Sequence, residues 1–181
     1  MVFLCTQIYR KEIQWRDMET TIDVNTGKVK LGVKGTLLRS VAIGSCIVIV
    51  AYDIIKKMGA MAHIMLPGKA PKGVTEKTKY ASDAIDELLN MLIQAGSERG
   101  SIEVCLVGGG NVLKRQNDTI CKENIESVIK LLAEKQIPIK ASILGGTTRK
   151  GVFLDVENGK VTYTESDSKS KLLWQYGKRL I

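Results

Sequence analysis

Apolar and polar positions follow two periods along this chain. From Lys28 onward, "KVKLGVK", "CIVIVAY", "AMAHIML", "IEVCLV", "IKASIL", "GVFLDV" and "KVTYT" are rich in β-branched and apolar residues and bounded by Gly, Asp or Lys, a strand pattern. Several are apolar on both alternating faces, which predicts a sheet covered on both sides. Two segments repeat at helical spacing instead. In "YASDAIDELLNMLIQAG" the stripe is Ala81, Ala84, Ile85, Leu88, Leu89, Leu92 and Ile93; in "KENIESVIKLLAEKQIP" it is Ile125, Val128, Ile129 and Leu132. Gly96 and Pro138 mark their ends. One apolar face per helix predicts packing on one side of a sheet. "ENGK", with Asn158 and Gly159 between two strand runs, predicts a two-residue hairpin turn. The expectation is a mixed α/β sandwich over residues 21–164. Residues 1–20 form an N-terminal extension without sustained periodicity. Residues 165–181 form a tail whose "LLWQYGKRLI" packs on the core or docks a partner.

Composition narrows the class. The 181 residues, 44% apolar and 25% charged, fit one globular domain rather than a disordered chain or a disulfide scaffold. Cys5, Cys46, Cys105 and Cys121 lie far apart, with no CxxC pair and a single histidine, so no metal and no cofactor is expected. The longest apolar run, residues 46–52, is far short of the roughly 20 residues that span a bilayer, and "MVFLC" is shorter than the roughly 7–15-residue core of a secretory signal. These features predict a cytoplasmic protein with free thiols and no membrane insertion. The net charge of +8 is spread along the chain, and aromatics are only 5%, so nucleic acid is not an expected partner. The densest basic stretch, "GKAPKGVTEKTK" over residues 68–79, reads as a solvated loop or as a patch steering an acidic partner toward His63. "VGGGNVLKR" and "LGGTTRKG" match neither GxGxxG nor GK[ST]. Their glycines permit tight turns and close backbone approach, or wall a substrate cleft.

Candidate chemistry sits inside an apolar hairpin, where Cys46 and the only histidine, His63, lie on successive strand runs. If the turn centres near Ile54 and Ile55, Cys46 faces His63 with Cβ atoms about 4.5–5.5 Å apart. A half-residue shift faces Cys46 with Ile64 and turns His63 to the other side. Paired, the two would form a thiolate and imidazolium, a nucleophile with its base. Gly44 and Ser45 would form a tight turn aiming backbone N–H groups at an oxyanion. The Ser40 hydroxyl would hold the imidazole tautomer as the third member of a triad. The competing reading is structural: Cys46 as core packing, as for Cys105, and His63 as a satisfied core residue. Pattern alone leaves both open.

Taken together, "IGSCIVIVAYD…KMGAMAHIMLPG", "YASDAIDELL", "LVGGGNVL", "ENIESVIKLLAEKQIPI" and "ILGGTTRKGVFLDVENGKV" resemble the chemoreceptor glutamine deamidase family, CheD, across residues 22–164. The resemblance implies a three-layer α/β/β sandwich of mixed sheets with two main helices on one side. It implies hydrolysis of selected glutamine side chains on the cytoplasmic coiled coil of methyl-accepting chemotaxis receptors, giving glutamate and ammonia through a cysteine thioester. Cys46 matches the family nucleophile and His63 the family base. Ser40 stands where the family more often has threonine; it keeps the hydroxyl and loses a methyl group that would restrict its rotamer. A glutamyl methylesterase activity and an interaction with a CheC phosphatase are further implications. Two departures are "GGGN", where GGA is common, and Cys121, where glycine is usual. The alternative within the same resemblance is a non-catalytic CheD-like protein that regulates a CheC-type phosphatase.

Overall fold

A computed structural model describes residues 20–177. The N-terminal extension, apart from Thr20, and residues 178–181 lie outside the described residues. In chain order the elements are β1 Thr20–Asp23, β2 Val29–Gly32, β3 Thr36–Ile43, β4 Ile47–Asp53, β5 Met58–Ile64, α1 Ala81–Gln94, β6 Ile102–Gly108, α2 Ile120–Glu134, β7 Ile139–Leu144, β8 Lys150–Asp155, β9 Lys160–Glu165 and β10 Lys171–Gln175.

The strands make two five-stranded sheets, ordered β1-β3-β8-β9-β10 and β2-β5-β4-β6-β7. Both are mixed, because β1 runs parallel to β3 and β6 parallel to β7 while the other neighbours are antiparallel. The alternation along β4 explains the layering. Ile47, Ile49 and Ala51 join Ala84, Ile85, Leu88 and Val128 in a core between the second sheet and the helices. Val48, Val50 and Tyr52 join Leu38, Val152 and Leu154 in a second core between the sheets. A strand with both faces covered needs apolar residues at every position, and all seven residues of β4 are buried. The result is the expected three-layer α/β/β sandwich, both helices on one side.

Departures from the sequence pattern have local causes. On α1 the expected stripe is buried except for Ile93, which is 41% exposed. On α2 the inward face is Cys121, Asn124, Val128 and Leu132, while Ile129 turns outward. The strands β1, β3 and β10 escape the apolar-run criterion. In β3 the run is broken by Arg39 and Ser40, yet it alternates, with Thr36, Leu38 and Ser40 inward and Arg39 and Val41 outward. The "ENGK" turn is wider than two residues, since Asp155 and Lys160 form the last pair of the β8–β9 ladder. Val156 is drawn out of that ladder: its N–H donates to the Thr36 carbonyl at 3.0 Å and its carbonyl accepts the Tyr52 hydroxyl at 3.1 Å.

The C-terminal segment packs on the core as far as it is described. Tyr176 is buried and stacks on Tyr52 with ring centroids 4.9 Å apart, and Trp174 meets it edge-on at 6.3 Å. The Tyr176 hydroxyl lies 3.4 Å from Cys105 Sγ and 3.4 Å from the Glu103 carbonyl. Tyr176→Ala is expected to lower stability by about 3 kcal/mol, because a large buried ring is lost. Tyr176→Phe, which keeps the stack, should cost only about 1 kcal/mol. Urea unfolding midpoints of the two variants measure the difference.

Candidate active site

The β4–β5 turn sets the register of the site. Asp53 pairs with Met58, and the Asp53 Oδ1 atom accepts the N–H groups of Ile55 at 2.8 Å and Lys56 at 3.0 Å. Lys57 completes the four-residue turn with φ 52°. His63 therefore lies opposite Val48, not Cys46. The expected direct opposition is corrected by two residues, and a two-residue shift preserves the face because side chains alternate with period two. Cys46, one residue ahead of β4, packs with Val48 against the inter-sheet core. It is diagonal to His63, an arrangement with a typical separation of about 7–8 Å. Among the described residues no hydrogen bond joins Cys46 Sγ to the imidazole.

His63 is 4% exposed and reaches across the gap between the sheets. Its Nδ1 lies 2.8 Å from Ser40 Oγ and 3.3 Å from the Val24 carbonyl, while Ser40 Oγ donates to the same carbonyl at 2.8 Å. A carbonyl only accepts, and a serine hydroxyl has one proton to give. With that proton on Val24, Ser40 must accept from His63, so Nδ1 carries hydrogen and Nε2 keeps the lone pair. Ser40 Oγ is thus the hydrogen-bond partner of His63 Nδ1. Thr26, an exposed hydroxyl that sequence reasoning missed, lies 3.5 Å from Nε2. The basic loop borders this corner: Thr78 Oγ1 donates to the Gly27 carbonyl at 2.6 Å, and Gly27 N–H donates to the His63 carbonyl at 2.7 Å.

Burial dominates both titrations. It pushes His63 below its ordinary 6.5, partly opposed by the Val24 carbonyl, so the ring is neutral at neutral pH. It pushes the half-buried Cys46 thiol above its ordinary 9.0, opposed by the residue's own backbone N–H. Both directions favour a thiol and a neutral imidazole over an ion pair. Cys105 and Cys121 are each pushed up to about 11, chiefly by burial.

The Gly44–Ser45–Cys46 turn is held by its carbonyls. Gly44 accepts from Gly110 N–H at 2.8 Å, Ser45 from Asn124 Nδ2 at 3.0 Å, and Cys46 from Gly109 N–H at 2.8 Å. Asn124 Nδ2 also donates to the Met65 carbonyl at 3.0 Å. Among the described residues the N–H groups of Gly44, Ser45 and Cys46 meet no acceptor on another residue. The chain enters this turn through a bulge in β3, where Ala42 has φ 57° and the register with β8 slips between Ser40 and Ile43. The first glycine block works by close approach: Gly108 has φ 133°, and a Cβ there would sit 2.1 Å from the Cys46 carbonyl oxygen. The second block braces the first, with Gly145 N–H on the Gly108 carbonyl at 2.9 Å and Asn111 N–H on the Gly146 carbonyl at 2.8 Å. Asn124 falls on the inward face of α2 one turn before Val128, where a polar side chain interrupts the apolar stripe.

Among the described residues, no group of three or more His, Cys, Asp or Glu side chains is placed to hold a metal ion. A cavity of about 590 Å³ lined by Tyr52, Asp155, Lys160 and Tyr176 lies at the opposite end of β4 from Cys46.

Residues 65–165 match the family described as CheD chemotactic sensory transduction; the match begins two residues beyond His63. A Chlorobium luteolum protein described as a probable chemoreceptor glutamine deamidase CheD is 34% identical over 152 residues, covering 83% of this chain and 76% of that one. The chemoreceptor glutamine deamidase CheD of Halalkalibacterium halodurans is 36% identical over 131 residues, covering 69% and 81%. A solved structure, the Bacillus licheniformis hypothetical protein YfiH, aligns at TM-score 0.42 and 14% identity over 72% of this chain and 60% of that one, a likeness too distant to bear on the chemistry.

Gly108→Ala is expected to destabilise the fold by about 3 kcal/mol or more, since both its φ and the Cys46 carbonyl oppose a side chain. Thermal unfolding measures this. The single histidine allows a clean titration: its ring resonances in NMR should shift with a midpoint below 6.5. Because the folded ring resists protonation, its contribution to stability is complete above pH 6.5 and lost as pH falls through the lowered folded value. Urea midpoints should therefore fall more for wild type than for His63→Gln over that window.

Proposed function

Because this chain belongs to the CheD family, we propose that it is a chemoreceptor glutamine deamidase that converts selected glutamine side chains of methyl-accepting chemotaxis receptors to glutamate and ammonia. The observation that carries the reading is the hydrogen bonding of His63: Nδ1 lies 2.8 Å from Ser40 Oγ, which donates to the Val24 carbonyl, and this leaves Nε2 as a base on the face that Cys46 shares. As a bound glutamine brings the groups together, Nε2 exchanges its long contact with Thr26 for the Cys46 proton. Such contacts commonly tighten only in the substrate complex. The Cys46 sulfur adds to the amide carbon, and the backbone N–H groups of Ser45 and Cys46 receive the oxyanion. The C–N bond breaks as the imidazolium gives its proton to the departing ammonia, leaving a thioester. Water, deprotonated by Nε2, then displaces the sulfur, and glutamate and the thiol result.

A glutamyl methyl ester presents the same carbonyl with a better leaving group, so methylesterase activity is a secondary reaction of this site. Selectivity comes from recognising the face of the cytoplasmic receptor coiled coil around the glutamine. That substrate places the protein in the cytoplasm; among the described residues, no helix is long and apolar enough to cross a membrane. A CheC-type phosphatase is the further partner of this reading. The second reading, a binding protein that regulates such a phosphatase without catalysis, is favoured by one observation: the hydrogen-bond partners of His63 among the described residues do not include Cys46.

Intact-mass analysis of a receptor cytoplasmic fragment separates the two. Wild-type protein should add about one mass unit per target site, and Cys46→Ala none. An unchanged mass with stable complexes on several receptors would favour the regulator. Ser40→Ala should lower kcat about 100-fold with little change in KM, and Ser40→Thr should restore most of it.

A further inference from the structure

We propose that Asn124 is a positioning residue that sets the aim of the Cys46 backbone N–H, the oxyanion donor, by holding the other end of the same peptide unit. The inference rests on the reading of Cys46 as nucleophile. A trans peptide is planar, so the Ser45 carbonyl and the Cys46 N–H point in opposite directions. Pinning that carbonyl on Asn124 Nδ2 at 3.0 Å therefore fixes where the N–H points. The second Nδ2 hydrogen holds the Met65 carbonyl, two residues beyond His63, at 3.0 Å. One carboxamide thus ties the turn that carries the nucleophile to the strand end that carries the base. Both partners are carbonyls, which only accept, so the orientation of the amide is determined.

The neighbouring anchors are main chain: Gly110 N–H on Gly44 and Gly109 N–H on Cys46. Among the described residues, the Ser45 anchor alone comes from a side chain. Asn124 is fully buried, and its Oδ1 has no partner among the described residues. An unpaired buried acceptor lowers stability, and an apolar residue would fill this inward face of α2 without it. What the asparagine supplies instead is two directed donors.

Two reactions of Cys46 on the intact 181-residue chain test this. Acylation by 4-nitrophenyl acetate passes through a tetrahedral oxyanion; alkylation by iodoacetamide displaces iodide at a saturated carbon and forms none. Both need the same thiolate. In Asn124→Ala, and in the isosteric Asn124→Asp as a second variant should alanine impair folding, acylation should fall about 100-fold while alkylation stays within about twofold. Acylation at the wild-type rate overturns the proposal. So does an equal fall in both reactions, which would mark a merely structural residue, and so does a wild-type Cys46 that does not acylate. Acylation that depends on Asn124 in a protein that leaves receptors unmodified would sink the deamidase reading and leave this one standing.

Discussion

The rest of the structure depends on β4 being covered on both faces. Its odd-numbered residues from Ile47 to Ala51 meet the helices and its even-numbered residues from Val48 to Tyr52 meet the other sheet, so neither layer can shift without exposing the other core. Cys46 continues the even series. Its sulfur is thereby directed into the layer between the sheets, where His63 enters from β5 and Ser40 from β3. The candidate site occupies the edge of a core that exists for packing reasons.

That placement has electrostatic consequences. A polar cluster in an apolar layer needs internal partners, and the Val24–Ser40–His63 chain supplies them with every hydrogen assigned. Low polarity keeps the ring neutral and the thiol protonated. In the proposed mechanism, charge appears on this pair only as the reaction proceeds. A permanent ion pair there would carry a desolvation penalty in the resting protein.

What the sequence reveals follows the strength of each local signal. Runs with apolar residues on both faces, as in β4, β5 and β6, and the stripe of α1 are legible because burial leaves little freedom there. β3 is not, because Ser40 is polar for the sake of His63 and Arg39 faces outward to Asp23. The hairpin register is missed by two residues because the Asp53 carboxylate organises a four-residue turn, and an aspartate at a strand end reads equally as a boundary. Register and face both follow from the four-residue turn, which pairs Val48 with His63. Asn124 eluded the pattern for a related reason: an inward polar residue is invisible to a search for apolar stripes. The convergence of both glycine blocks on Cys46 required three-dimensional information, since residues 44–46, 108–110 and 145–146 are widely separated in sequence.

The Gly44–Ser45–Cys46 turn is held mostly by one stretch of backbone against another, and main-chain atoms are the same whatever side chain they carry. Only a few positions have their identity fixed by this arrangement: Gly108 and Gly109 by conformation and space, Asn124 by its donors. Sequence drift elsewhere leaves the turn's scaffolding in place. Identity of about a third with the CheD relatives is compatible with the same backbone turn. The surface around it is correspondingly free to diverge along with the proteins it must recognise.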